Sequence, residues 1–199
     1  IAQYVQSTLR CFAAADPGHE SAFIEALRTA ALDADSAVRA LRTDDWEVRG
    51  RGGPATTLTL AIGIWPRVYV LQVGDSRCYV HGNGTLRRLT RDQTAAQELV
   101  DRGDLTVAEA ANSPLQHMLT SAIGGQVAVP VVTAVDQQRD AVFLLCSDGL
   151  TRHVSDPELA EGLAGLRSSQ QACTQLLKLA LERGGQDNIT IIVGRARPQ

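Results

Sequence analysis

"RCYVHGNGTLRRLT", residues 77–90, decides between two folds open to this chain. β-prone residues run up to Asn83-Gly84 and resume after it. Asn-Gly suits a tight hairpin turn, because both central residues there take positive φ. The stretch predicts a hairpin and therefore antiparallel pairing, so a regular parallel sheet of alternating strands and helices fits less well. Upstream, "RVYVLQVG" (67–74) has apolar residues on both sides of its alternation, so both faces of that strand are expected to be covered. "TTLTLAIGIW" (56–65) is a second β-like run before it. Downstream, "VAVPVVTAV" (127–135), "AVFLLCS" (141–147) and "NITIIVGRA" (188–196) read as further strands.

Helical patterns surround these runs. Residues 1–14 are apolar and alanine-rich and read as a helix, broken by "DPGHE" (16–20). Over 20–42, Phe23, Leu27, Ala30, Ala34, Val38 and Leu41 recur at steps of three and four, one face of an amphipathic helix. "TAAQELVDRG" (94–103) is a short helix closing on Gly103. Another is expected near 106–111, followed by irregular chain over 112–126. Pro157, just after Ser155 and Asp156, marks a helix start. Cys173, Leu176, Leu177, Ala180 and Leu181 stripe a last helix that Gly184-Gly185 ends. Strands covered by amphipathic helices predict an α+β layered sandwich.

At 199 residues and 44% hydrophobic, the chain is expected to form one domain, 1–199, with a real core. A net charge of −3 gives no support for a nucleic-acid or anionic-membrane partner. Cys11, Cys78, Cys146 and Cys173 lie far apart in sequence, which predicts reduced thiols in a cytoplasmic protein, with neither a zinc site nor a disulfide framework. The apolar runs are too short to span a bilayer, and no signal-peptide pattern is seen.

Three aspartates occupy one kind of place. Asp75 follows "YVLQVG", Asp148 follows "VFLLCS", and Asp187 lies between "GGQ" and "NITIIVG". Each has a glycine or small polar residue beside it, where backbone can approach a ligand closely. Carboxylates gathered from several strand ends repel one another unless protons or cations intervene. Oxygen-only ligands favour Mg²⁺ or Mn²⁺ over zinc. Each aspartate alone is better read as a turn residue; for the three together with their flanks that reading is poor.

Those flanks resemble the motifs of the metal-dependent serine/threonine protein phosphatases, the protein phosphatase 2C family in its bacterial form. "ATTLTLAI" (55–62), "GDSR" (74–77), "LTRDQT" (89–94), "LTSAIGG" (119–125), "CSDGL" (146–150) and "GGQDNIT" (184–190) occur in the family's order. The resemblance implies a four-layer αββα sandwich, two mostly antiparallel sheets flanked by helices. It implies two or three Mn²⁺ or Mg²⁺ ions, with Asp148 and Asp187 as catalytic ligands and Asp75 as the ligand of a further, weaker metal position shared with Asp148. The activity implied is hydrolysis of phosphoserine and phosphothreonine by a metal-activated water, with no phospho-enzyme. Phosphorylated proteins and a cognate serine/threonine kinase are the implied partners; the substrate-binding residues are not assigned.

The family also carries an acidic N-terminal segment and an Asp-Gly-x-Gly-Gly segment whose aspartate bridges the two catalytic ions. Neither occurs in residues 1–199. The expectation is a piece of an ordinary phosphatase whose first strands and bridging ligand lie outside this chain, which by itself is weakly active or inactive. The rival is a non-catalytic phosphoprotein-binding regulator with the same fold; a phosphatase of small phosphate esters ranks third. Among weaker features, His153 is read as an exposed turn histidine and His117 as an ordinary loop contact. "RGRGG" (49–53) is read as a surface loop, and Arg87, Arg88 and Arg91 as a solvated strand end. Arg77 is balanced between a surface arginine and a partner of a site carboxylate. Residues 91–118 correspond to the family's variable flap.

Overall fold

The computed structural model describes residues 20–41, 53–136, 139–165 and 167–195. The expected helix over 1–14 and most of the 49–53 loop lie outside the described residues. In chain order the elements are α1 (Glu20–Arg39), β1 (Leu58–Ile64), β2 (Arg67–Val73), β3 (Arg77–Gly82), β4 (Thr85–Arg88), α2 (Ala95–Arg102) and α3 (Val107–Ala111). They continue with a 3₁₀ turn (Pro114–His117), β5 (Val131–Asp136), β6 (Val142–Cys146), α4 (Asp148–Thr151), α5 (Asp156–Ala164), α6 (Ser169–Glu182) and β7 (Ile191–Arg195). The strands form two antiparallel sheets flanked by helices, the α+β class expected. One sheet has the order β1-β2-β5 and the other β4-β3-β6-β7.

The 77–90 hairpin forms as read. Asn83 and Gly84 take φ of +51° and +74°, and β3 pairs with β4 from Tyr79–Arg88 to Gly82–Thr85. Gly103 closes α2 in the left-handed region, and Thr106 and Glu109 make a reciprocal cap on α3. β2 is buried from Val68 to Val73, so both its faces are covered. Two expectations shift. The strand expected over 127–135 begins only at Val131, immediately after Pro130, which has no N–H to give a ladder. "SDG" does not merely turn the chain, because Asp148 opens the helical turn α4.

The chain divides into two compact units. One comprises Ile1–Leu58, Leu71–Gly74 and Gln93–Val132; the other comprises Thr59–Val70, Asp75–Asp92 and Thr133–Gln199. In the first, α1 buries Phe23, Leu27, Ala30, Ala31 and Ala34. It also buries Asp35, whose Oδ1 accepts the Gly124 N–H at 2.6 Å and whose Oδ2 accepts Arg39 Nε at 2.7 Å. Arg39 continues to the Gln126 carbonyl at 3.0 Å. Gly124 has φ +77°, and a Cβ there would lie 2.3 Å from the Pro54 carbonyl oxygen, so "SAIGG" requires glycine at this point.

In the second unit, one face of the four-stranded sheet packs on the helices. Tyr79, Val142, Leu144 and Cys146 meet Leu150, Leu159, Leu163, Leu176 and Ala180. The opposite face supplies Cys78 and Phe143 to a second cluster with Val68 and Val70 of β2 and Val135 of β5. That sheet-on-sheet core explains the unbroken apolar run in "AVFLLC", since β6 is covered on both faces. Burial pushes the thiols of Cys78 and Cys146 up to about 12, so neither supplies a thiolate.

Candidate active site

All three aspartates lie at one end of the four-stranded sheet, and the register shows why. Arg77 at the start of β3 pairs with Cys146 at the end of β6, and Cys146 pairs with Ile191 at the start of β7. Asp75 stands two residues before Arg77, Asp148 two after Cys146, and Asp187 four before Ile191. Antiparallel pairing therefore delivers three carboxylates, distant in sequence, to the same end of the sheet.

The residues around Asp148 have separate jobs. Ser147 ties the end of β6 to the segment before β7: its N–H donates to the Thr190 carbonyl at 3.1 Å. Its hydroxyl donates to the Asn188 carbonyl at 3.1 Å and accepts the Thr190 N–H at 3.0 Å. Gly149 lets the two segments close up, because a Cβ there would sit 2.5 Å from the Asn188 carbonyl oxygen. Asp148 and Asp187 are held on either side of this seam. Serine and glycine thus build the joint, and the aspartate is left to face outward from it.

A residue that sequence reading missed connects the two. Arg152 lies one helical turn after Asp148, on the same face. Its Nη2 donates to Asp148 Oδ2, and its Nη1 donates to Asp187 Oδ2 at 3.0 Å. The spacing from Asp148 is an ordinary helical ion-pair signal, visible only once a helix is placed at 148–151. Asp75 belongs to the same electrostatic group. Burial first, then the charges of Asp148 and Asp92, raises its carboxyl to about 6; a backbone N–H and Arg152 work in the other direction.

Arg77 does not join these three. It makes a forked pair with Asp92, with Nη2–Oδ2 at 2.6 Å and Nε–Oδ1 at 3.0 Å, and donates to the Tyr79 hydroxyl at 3.1 Å. Tyr79 in turn donates to Asp156 at 2.8 Å. Burial opposes the charge on Arg77, and Asp92 with Tyr79 more than offsets it, so its pKa rises further. Asp92, in "LTRDQT", is a second missed residue, and it adds to the negative field at Asp75. His153 is half-buried rather than an exposed turn residue, and its Nε2 has no hydrogen-bond partner. His117 sits in the 3₁₀ turn.

The donor set is oxygen-only, which suits hard divalent cations. Two of the carboxylates, Asp148 and Asp187, converge on one positive group, the Arg152 guanidinium. Among the described residues no three His, Cys, Asp or Glu side chains are grouped closely enough to hold a metal ion between them.

No family model matches the chain. The serine/threonine phosphatase stp of Listeria welshimeri is 38% identical over 142 residues, 71% of this chain and 56% of that protein. The chain spans only 27% of the length of the Mycobacterium tuberculosis relative, PstP. The crystal structure of the Mycobacterium tuberculosis serine/threonine phosphatase PstP/Ppp superposes with a TM-score of 0.81 at 31% identity, covering 98% of this chain and 81% of that one. The catalytic domain of PstP in complex with two manganese ions has a TM-score of 0.72 at 31% identity, covering 96% and 78%. With the ordered motifs, the two-sheet fold and this breadth of overlap in agreement, the chain belongs to the protein phosphatase 2C-type family of bacterial serine/threonine phosphatases.

Proposed function

We propose that the protein is a cytoplasmic, Mn²⁺- or Mg²⁺-dependent phosphatase of phosphoserine and phosphothreonine proteins, to which residues 1–199 contribute a single phosphatase-like domain. It reverses the action of a serine/threonine kinase. The observation that carries this reading is the register-driven delivery of Asp75, Asp148 and Asp187 to one end of the four-stranded sheet. Asp148 and Asp187 are assigned as ligands of the catalytic centre, and Asp75 as a ligand shared with Asp148 at a third position. Divalent cations at such a centre neutralise phosphoryl oxygens and acidify water at neutral pH. The chain's own part is positional. Ser147 and Gly149 lock the Asp148 turn against the segment carrying Asp187, so the two carboxylates are held before any ligand arrives. Neither Cys78 nor Cys146 is a candidate nucleophile, which accords with direct attack by water. Among the described residues no helix is long and apolar enough to cross a membrane.

One observation favours the second reading, a non-catalytic phosphoprotein-binding regulator: Arg152 occupies the oxygens of two proposed ligands. The two readings separate in one assay. Full-length protein is given a phosphothreonine peptide with Mn²⁺, alongside Asp148→Asn. The expected outcome is metal-dependent hydrolysis that falls by about 10²-fold or more in the variant, the scale of losing a preorganised electrostatic contact. No turnover by the full-length protein in Mn²⁺ or Mg²⁺ would leave the binding role.

A further inference from the structure

We propose that Gln93 is a positioning residue. It ties Gly74, the residue before Asp75, to the base of the excursion formed by residues 95–118, so that the excursion and the turn into Asp75 move as one piece. The functional half of this inference rests on the assignment of Asp75 to the site; the mechanical half does not.

Gly74 is held on every side. Its φ is +104°, and a Cβ there would lie 2.4 Å from Thr57 Cγ2, so its backbone is wedged against Thr57 in a conformation that glycine alone adopts readily. Both of its peptide groups end on Gln93. The Gly74 N–H donates to Gln93 Oε1 at 2.6 Å, and the Gln93 N–H donates to the Gly74 carbonyl at 3.2 Å. Gln72 Nε2 gives that carbonyl a second donor at 2.9 Å. Opposed hydrogen bonds between one pair of residues fix both the position and the tilt of the backbone that leads into Asp75.

The remaining polar groups of Gln93 reach the other way. Its Nε2 donates to the Val129 carbonyl at 2.8 Å, and its own carbonyl accepts the Thr120 N–H at 2.9 Å. Beside it, the Ala95 N–H donates to the Met118 carbonyl at 2.8 Å, and Thr94 bridges Leu119. Residues 95–118 therefore leave and return through one gate, and Gln93 stands at it. Thr94 is buried, and its hydroxyl caps α2 by accepting the Gln97 N–H at 3.3 Å. A tilt of α2 is passed through Thr94 to Gln93, and from Gln93 to Gly74. Val107 and Met118 are exposed on the excursion. A phosphoprotein that touches them acts on the turn into Asp75 through this link.

Amide hydrogen exchange on the full-length protein, paired with hydrolysis of a phosphothreonine peptide in Mn²⁺, tests this. Gln93→Met keeps the length of the side chain and removes both carboxamide bonds. The Gly74, Ala95 and Thr120 amides are expected to exchange faster together, by about tenfold, the scale of one hydrogen bond. The Gly124 amide, held by Asp35 in the same unit, should keep its wild-type rate. kcat should fall by about tenfold, more than KM moves, because the change lies in placement rather than in contact with substrate. Gln93→Glu keeps an oxygen for the Gly74 N–H and loses the donor to Val129. It should hold the Gly74 amide near its wild-type rate and lose less of kcat than Gln93→Met. A residue that only stabilises the fold would speed exchange at Gly124 as well and leave the kcat of folded enzyme unchanged. Faster exchange at Gly74 with Ala95 and Thr120 unaltered overturns the coupling. Coupled exchange with an unaltered kcat overturns the positioning role. A wild type with no turnover overturns the phosphatase reading instead, and the exchange rates still decide the coupling.

Discussion

Asp35 and Asp148 make a matched pair. Each lies on a helix with an arginine four residues later, and each meets a loop that carries a recognisable motif. Asp35 is answered in full by the chain: Arg39 takes one oxygen, the Gly124 N–H takes the other, and Arg39 spends its second contact on the Gln126 carbonyl. Its side chain is 11% exposed. Asp148 shares its arginine with a second carboxylate and feels a third. The same spacing produces a neutralised, buried clamp in one place and an exposed surplus of negative charge in the other. Balanced charge marks a structural joint. At Asp148 two carboxylates share one guanidinium, and the neutral hydrogen bonds of Ser147 fix the seam between them.

Mutation should separate the two kinds of aspartate in opposite directions. Asp35→Ala leaves the Gly124 N–H and the Arg39 head without their partner, and a loss of about 3 kcal/mol in denaturant unfolding is expected. Mn²⁺ affinity should be untouched; an affinity loss equal to that of Asp148→Asn would erase the distinction. Gly149→Ala drives a methyl against the Asn188 carbonyl and should cost about 2 kcal/mol. Because it pries apart the seam that carries Asp148 and Asp187, it should weaken Mn²⁺ binding as well. Normal metal affinity in that variant would mean that the seam does not position the carboxylates.

The smallest effect has the opposite sign. Asp75 has its carboxyl raised from 3.8 to about 6, so the folded protein binds that proton more tightly than the unfolded chain does. Its ionisation therefore opposes folding, by an amount that grows as pH rises from about 4 to 6 and then stays constant. In EDTA, Asp75→Asn should stabilise the protein by about 1 kcal/mol at pH 7, after allowance for solvent screening, and the gain should vanish below pH 4. Thermal melts across that range decide it. A destabilised variant at pH 7 would show that Asp75 is a structural aspartate like Asp35.

What was legible in the sequence was local. Asn83-Gly84, Gly103 and the Thr106–Glu109 cap announce themselves within a few residues, because the physics that fixes them is contained there. The three aspartates were legible by their recurring position at strand ends and by the family motifs. The register that aligns them could only be seen in the folded sheet. Asp35 escaped notice because its partner, Gly124, is 89 residues away. Asp92 escaped because its value lies in the charge it adds at Asp75. Arg152 escaped because no helix was expected at 148–151, so the helical spacing that pairs it with Asp148 was not seen.

The two thiols of the sheet core carry a consequence for redox chemistry. Cys78 and Cys146 are buried beside each other's strands and stay protonated up to about pH 12, so peroxide and alkylating reagents find no thiolate in either. Cys173 is only half-buried on α6, so among these three cysteines it meets such reagents first. With both core thiols held protonated, oxidants that act on thiolates have no target in the sheet core.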